Sequence, residues 1–197
     1  RSRRIALMSF TTSCQNLAFV PVDGRLYLQR KKTITWGDPK RSRGEAASAI
    51  SGLDYLRAIK DGRVDRPPAA MLLGYRIHSV ECGHAVFELD PAEYHYNPFA
   101  TVHGGILSTL LDSAMTASVI TTLPSGKTCS TVEIKVNFIR PVTAETGVLR
   151  CEARPVHVGR RLATVEGHLK DKQGKLIAHG ISTCSIIRVA PIAPKVA

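Results

Sequence analysis

Apolar positions recur along this chain with two periods, and each change of period marks an element. Ile50, Leu53, Leu56 and Ile59 recur at helical spacing and the run stops at Asp61-Gly62, which predicts a helix from Ala47 to Lys60. Pro67-Pro68 breaks the chain. Met71 to Val80 and His84 to Leu89 then read as two strands about a turn at Glu81-Cys82-Gly83. Asp90 to Val102, with Pro91, Asn97 and Pro98, reads as a loop. Gly104 to Thr121 reads as one long helix, closed by Leu123-Pro124-Ser125-Gly126. Val132, Ile134, Val136 and Phe138 alternate with Thr131, Glu133, Lys135 and Asn137. Leu149, Cys151 and Ala153 alternate with Arg150, Glu152 and Arg154, and Ala163, Val165, Gly167 and Leu169 with Thr164, Glu166, His168 and Lys170. A turn at Lys172-Gln173-Gly174 leads into a last strand, Leu176 to Val189. Strict alternation gives each strand one wet face and one buried face.

The order strand, strand, long helix, four strands predicts an α+β fold. One helix cannot cover both faces of six strands, so the simplest packing curves an antiparallel sheet around the central helix. The earlier helix becomes a lid or strap over that core. Residues 1–46 show no sustained period, and Arg30-Lys31-Lys32 and Lys40-Arg41-Ser42-Arg43-Gly44 are charge clusters. A short hairpin about Asp23-Gly24, built from Phe19, Val20, Val22, Leu26, Tyr27 and Leu28, is the one element expected there. The expected division is a basic, disordered extension over 1–46, a folded domain over 47–190 and a tail over 191–197.

With 197 residues, 44% of them hydrophobic and 22% charged, the chain has the composition of a soluble globular domain with an appendage. No apolar run reaches the ~20 residues that span a bilayer, so neither a transmembrane helix nor a membrane partner is expected. The net charge is +11, but residues 1–66 hold 14 Lys and Arg against 6 acids, and residues 67–197 hold 13 against 10. The basic excess belongs to the extension. It suits a solvated tail better than a nucleic-acid partner, and its Arg and Ser/Thr content resembles an organelle transit peptide only weakly. Cys14, Cys82, Cys129, Cys151 and Cys184 are odd in number and lack metal-pair spacing. They read as small apolar residues of a reducing, cytoplasmic compartment. His78, His84, His95, His168 and His179 show no ligand spacing, so no metal is assigned.

The chemistry concentrates at Asn97-Pro98-Phe99-Ala100-Thr101-Val102-His103-Gly104-Gly105 and the helix that follows. Two side-chain-free residues at a helix start leave backbone N–H groups open to a ligand, where the helix dipole favours an anion or a developing oxyanion. Gly105, Ser108 or Thr109, Asp112 and Thr116 form one polar stripe; Ile106, Leu107, Leu110, Leu111, Ala114 and Val119 form the apolar face. A carboxylate there is either a structural pair or a functional group. Gly104 and Asp112 are eight positions apart, roughly 12 Å along a helix at ~1.5 Å per residue. One helix cannot bring both within ~3 Å of a single carbonyl. If both act, they come from two copies of the helix, so a catalytic reading requires a symmetric dimer with two sites across its interface. Val156-His157-Val158-Gly159-Arg160-Arg161 is a basic hairpin tip whose guanidinium forks suit phosphate, or simply a solvated turn. Phe99, Met115 and Tyr94 are candidates for a pocket wall or ordinary core.

Asn97, His103-Gly104-Gly105 and Asp112, with Thr131-Val132-Glu133-Ile134-Lys135-Val136-Asn137-Phe138-Ile139-Arg140-Pro141, resemble the hotdog-fold thioesterases of the phenylacetic-acid-degradation (PaaI-like) type. The resemblance covers roughly residues 48–189 and includes Gly159-Arg160-Arg161. It implies a hotdog fold, a sheet wrapped around a long helix, and hydrolysis of an acyl-CoA thioester at a homodimer interface, with a homotetramer as a further assembly. By position, Gly104 N–H and Asn97 would polarise the carbonyl, and His103 would shape the turn. Asp112 of the other subunit would act as general base or nucleophile, and Thr131 would help hold the water. Gly105, Ser108, Arg160 and Arg161 would contact substrate or its CoA. No cofactor is implied, since coenzyme A enters as part of the substrate. The acyl group is small, aromatic or medium to long. The alternative is a non-catalytic acyl-CoA sensor; residues 1–46 lack the two periodic helices of a DNA-binding module.

Overall fold

A computed structural model describes residues 19–22, 25–39 and 49–189 of the chain. It divides into two compact units, Arg1–Ile34 and Thr35–Ala197. In the first, strands β1 (Phe19–Val22) and β2 (Arg25–Leu28) pair antiparallel, Phe19 opposite Leu28. This is the expected hairpin. The remaining expectations for the extension, Cys14 and the tail from 191 fall mainly or wholly outside the described residues.

The second unit holds helices α1 (Gly52–Lys60) and α2 (Pro68–Leu73), strands β3 (Arg76–Glu81) and β4 (His84–Leu89), and the long helix α3 (Gly104–Ile120). Strands β5 (Lys127–Phe138), β6 (Leu149–Val158), β7 (Leu162–Lys170) and β8 (Leu176–Arg188) follow. The six strands β3 to β8 form one antiparallel sheet in the order β3-β4-β6-β7-β8-β5. No described helix is long and apolar enough to cross a membrane.

Two element boundaries differ from the sequence reading. Helix α1 begins at Gly52, because the Ser51 side chain accepts a hydrogen bond from Asp54 N–H (3.2 Å) and caps it. Met71 does not open a strand; it lies in α2. Pro68 sits in the first turn, where its missing N–H has no role, and Gly74 (φ 82°) closes the helix in the left-handed conformation. The strand therefore starts at Arg76.

Helix α3 packs across the concave face of the sheet. Leu110, Leu111, Ala114 and Met115 are fully buried against a floor that includes Leu149, Cys151, Val165 and Leu169. Gly167 leaves the room this needs: a Cβ there would lie 2.9 Å from Met115 Cγ. Strand β7 alternates without exception. Strand β5 does not, because it is an edge strand with a bulge between Thr131 and Glu133. Ile134 and Val136 are half-buried, whereas Val132 is 63% and Phe138 51% exposed. The continuous buried face expected for this strand is thus incomplete. Cys129, Cys151 and Cys184 are buried; Cys82 is exposed in the β3–β4 turn.

On the outer face, Glu88 is held by Arg76 (2.8 Å), Arg150 (2.8 Å) and His78 (3.2 Å). Burial alone would raise its carboxyl, but the Arg150 hydrogen bond and the surrounding positive groups outweigh that and hold it below the usual range.

Helix α1 is clamped to the end of α3. Gly52 N–H donates to Leu123 O (3.0 Å), and a Cβ on Gly52 would lie 2.0 Å from Ile120 O. Gly52→Ala gains up to ~1 kcal/mol of helix propensity but forces a backbone clash that costs about 1–3 kcal/mol. The clash wins, and denaturant unfolding should show a net loss of about 1 kcal/mol or more. A variant as stable as the parent would mean that α1 does not rest on α3 in this way.

Candidate active site

Asp112 lies half-buried in the middle of α3 and receives a short hydrogen bond from Thr131 Oγ1 to its Oδ1 (2.6 Å). Thr131 Oγ1 is also 3.1 Å from Thr116 Oγ1. A hydroxyl carries one proton, so with Thr131 donating to the carboxylate, Thr116 donates to Thr131. The relay Thr116→Thr131→Asp112 fixes Oδ1 and leaves Oδ2 without a partner among the described residues. No described basic group forms an ion pair with Asp112. The back-bond to Ser108 or Thr109 is also absent, since the Thr109 hydroxyl donates to Gly105 O (2.9 Å).

Asp112 borders a cavity of ≈ 830 Å³ between α3, the start of β5, and the lid formed by α1 and α2. Tyr75, Ser113 and Thr116 stand beside the carboxylate in its lining. Burial lifts the Tyr75 phenol above its ordinary value, the hydrogen bond with Ser113 opposes the rise, and the Asp112 charge adds to it. Tyr75 therefore stays protonated. Its place beside Asp112 was hidden in the sequence because the segment around it read as a strand; Pro68 and Gly74, as a helix start and stop, were the available signal.

The glycine turn lies at the other end of the helix. His103 is the N-cap: its Nδ1 accepts from Gly105 N–H (2.9 Å). Gly105 N–H is thereby engaged, whereas Gly104 N–H has no hydrogen-bond partner among the described residues. The Phe138 ring lies over Gly104, and a Cβ there would come 3.1 Å from its Cζ. Asn97 organises the loop. Its Oδ1 accepts from Phe99 N–H (2.8 Å) and Thr101 N–H (3.3 Å), and its Nδ2 donates to Thr101 Oγ1 (3.0 Å), which leaves one amide hydrogen over. Ala100 adopts φ 58°, a conformation rare for a residue with a side chain, in the loop that delivers this helix start.

The structure thus groups Asp112, Thr131 and Thr116 at one place and Asn97, His103, Gly104 and Gly105 at another; within one chain it does not bring the two together. Ser108 is half-buried one turn ahead of Asp112 and outside the cavity lining. Arg160 and Arg161 are exposed at the β6–β7 tip. None of Phe99, Met115 and Tyr94 lines the cavity: Met115 is core, and Phe99 (86%) and Tyr94 (55%) are exposed.

A family model described as the thioesterase superfamily matches residues 99–178. Among solved structures, a phenylacetic acid degradation-related protein from Ralstonia eutropha JMP134 is 33% identical, with a TM-score of 0.61 over 66% of this chain and 98% of its own. The 1,4-dihydroxy-2-naphthoyl-CoA hydrolase of Listeria monocytogenes is 28% identical over 114 residues, 58% of this chain and 89% of that protein. Human acyl-coenzyme A thioesterase 13 is 29% identical over 102 residues, 51% and 71% respectively. The sheet curved around α3, the glycine turn at its start and these likenesses agree, and the chain belongs to the thioesterase superfamily of hotdog-fold hydrolases.

Proposed function

We propose that the protein hydrolyses an acyl-CoA thioester at the interface of a homodimer, with Asp112 of one subunit as general base and Gly104 N–H of the other as oxyanion donor. The observation that carries this is the layout along the edge strand β5. Thr131, near its start, holds Asp112 (2.6 Å), and Phe138, at its end, covers Gly104. The outer edge of β5 has no strand partner among the described residues, and it exposes Val132, Phe138 and the following Ile139. Two copies pairing antiparallel about a two-fold axis between Ile134 and Lys135 would set Thr131 opposite the partner subunit's Phe138. Asp112 would then face the partner subunit's Gly104, which answers the roughly 12 Å separation along one helix.

In that arrangement the thioester carbonyl oxygen points at Gly104 N–H, where the start of α3 adds its partial positive charge. The remaining Asn97 amide hydrogen is the second donor. Oδ2 of Asp112 takes a proton from water as the water oxygen adds to the carbonyl carbon. The tetrahedral intermediate collapses by breaking the C–S bond; the CoA sulfur departs and takes up a proton, and the free acid remains. Thr131 is a positioning residue for the carboxylate, and His103 for the turn. Arg160 and Arg161 are the candidates for contact with CoA phosphates. The test is thiol release by the purified protein from short, long and aromatic acyl-CoAs. Asp112-dependent release supports hydrolysis; ligand binding with no release would mark a sensor and overturn this reading.

A further inference from the structure

The segment that carries Asn97 and leads into Gly104 is a short ribbon. His103 N–H donates to His95 O (2.8 Å), Tyr96 bridges to Val102, and Asn97 N–H donates to Thr101 O (2.8 Å). Beyond these rungs the tip is exposed at Phe99 and strained at Ala100 (φ 58°), so it cannot hold the ribbon in place. One side is fastened by Val102 N–H to Val142 O (2.8 Å) and by Ala144 N–H to the Tyr96 hydroxyl (2.7 Å).

The base is fastened by His95, 2% exposed at the end of the 3₁₀ turn Glu93–His95. Its Nδ1 accepts from Ala92 N–H (3.1 Å), and its Nε2 donates to Leu73 O (2.9 Å). A backbone N–H only donates and a carbonyl only accepts, so the ring is neutral with its proton on Nε2. The Ala92 bond stays within the local turn. The Leu73 bond reaches a different element: Leu73 ends α2, and its carbonyl is among the last four that a helix leaves without a helical partner. His95 is outside the lining of the cavity beside Asp112.

We propose that His95 is a positioning residue for the hydrolysis: its bond to Leu73 O, at the end of α2, fixes the ribbon that presents Gly104 N–H and the Asn97 amide to the substrate carbonyl. The assignment rests on the thioesterase reading above and adds a residue to it. In the proposed dimer each ribbon serves the partner subunit's Asp112, so His95 acts on the site to which its own chain gives Gly104. Misplacing the donors by about 1 Å costs up to ~10²-fold. The loss falls on kcat, because the oxyanion develops only in the transition state.

Two substitutions divide the ring's bonds. In His95→Gln the amide nitrogen stands where Nε2 stood and keeps the donor to Leu73 O. In His95→Asn the amide oxygen stands where Nδ1 stood and keeps the acceptor for Ala92 N–H. Each leaves one buried backbone group unpaired, so the thermal midpoints should fall by similar amounts. Thiol release should separate them. His95→Asn should lose about ten-fold or more in kcat with KM within about two-fold of the parent, and His95→Gln should stay within about three-fold in kcat. Gly74→Val reaches the same tie from α2, because φ 82° is strained for a β-branched residue and the strained peptide carries Leu73 O; Gly74→Asn tolerates that conformation and is the control. This pair should repeat the contrast, and it decides the matter if His95→Asn does not fold. Equal kcat losses within each pair, or a change in KM alone, overturn the proposal.

Chain placement gives a second readout. A dimer of an Asp112→Ala chain with a Gly104→Pro chain keeps one working site, made of Gly104 from the first and Asp112 from the second. His95→Asn on the first chain should cut its rate about ten-fold, and on the second chain should leave it unchanged. Equal losses from both placements overturn the proposal. A mixture inactive even without His95→Asn faults the shared site alone, and the homodimer comparison still decides His95. If no acyl-CoA is cleaved, the hydrolase reading fails, and amide hydrogen exchange decides the tie. Faster exchange at His103 and Asn97 N–H in His95→Asn but not in His95→Gln supports it; equal exchange in the two overturns it.

Discussion

Asp112→Ala should lower kcat for acyl-CoA hydrolysis by ~10²-fold or more, with the fold intact. The size of the loss follows from what the carboxylate has around it. Its Oδ1 is committed to Thr131 (2.6 Å), and no described cation shares the charge. Oδ2 is therefore the group available to accept a proton from water beside the cavity. Stability should change far less than turnover. Asp112 is only half-buried, and Thr131 keeps the Thr116 hydroxyl within 3.1 Å once the carboxylate is gone. A lost hydrogen bond of this kind is worth about 1 kcal/mol. Asp112→Asn separates shape from chemistry, because the amide keeps the acceptor for Thr131 and cannot act as base. Both variants should be equally impaired. Parent-like turnover by either one removes Asp112 from the mechanism.

Mixing two inactive variants should restore activity, and this result depends most directly on the dimer. Gly104→Pro deletes the open N–H without disturbing the helix start. Proline is favoured at the first helical position, and His103 already has the extended backbone (φ −59°, ψ 133°) that a following proline requires. The Phe138 ring, 3.1 Å from the new Cβ, must shift by a few tenths of an ångström, and it is half-exposed and free to do so. Loss of one oxyanion donor costs about 10²- to 10³-fold in kcat. In a heterodimer of Asp112→Ala with Gly104→Pro, one site inherits both lesions and the other inherits neither. Random pairing of equal amounts then leaves about a quarter of the sites intact. Co-expression or refolding of the mixture should recover that fraction of parent kcat, against almost none for either variant alone. A mixture as inactive as its components would place both groups in the same subunit's site, which the length of α3 forbids, and so would discard the shared-site mechanism.

Legibility differed from element to element for physical reasons. Helix α3 and strand β7 were readable because one face of each is fully buried, so their apolar period is unbroken: Leu110, Leu111 and Ala114 on one, Ala163, Val165 and Leu169 on the other. Strand β5 has as regular a sequence but a different fate. Val132 and Phe138 alternate with polar residues, yet the strand lies at the sheet edge and both remain exposed. Apolar alternation reports a face that wants cover, and it does not say whether the cover comes from the same chain. Helix α2 was missed because six residues are too few for a helical period to emerge, so Met71, Leu72 and Leu73 could pass for a strand. The α2 half of the lid and Tyr75 were missed with it, whereas α1 was expected as a lid or strap.

Short-range patterning determined the order of the six strands and the long helix, the open glycine turn at its start and the isolated carboxylate two turns in. Each of these depends on periodicity, capping or helix rise, which act over a few residues. Only the tertiary structure decided which partner Asp112 takes and that a cavity runs from the carboxylate beneath a two-helix lid. Those depend on contacts between residues far apart in the chain, such as Asp112 with Thr131 and Gly52 with Ile120. No local period encodes such contacts, because they exist only once the separate elements have packed.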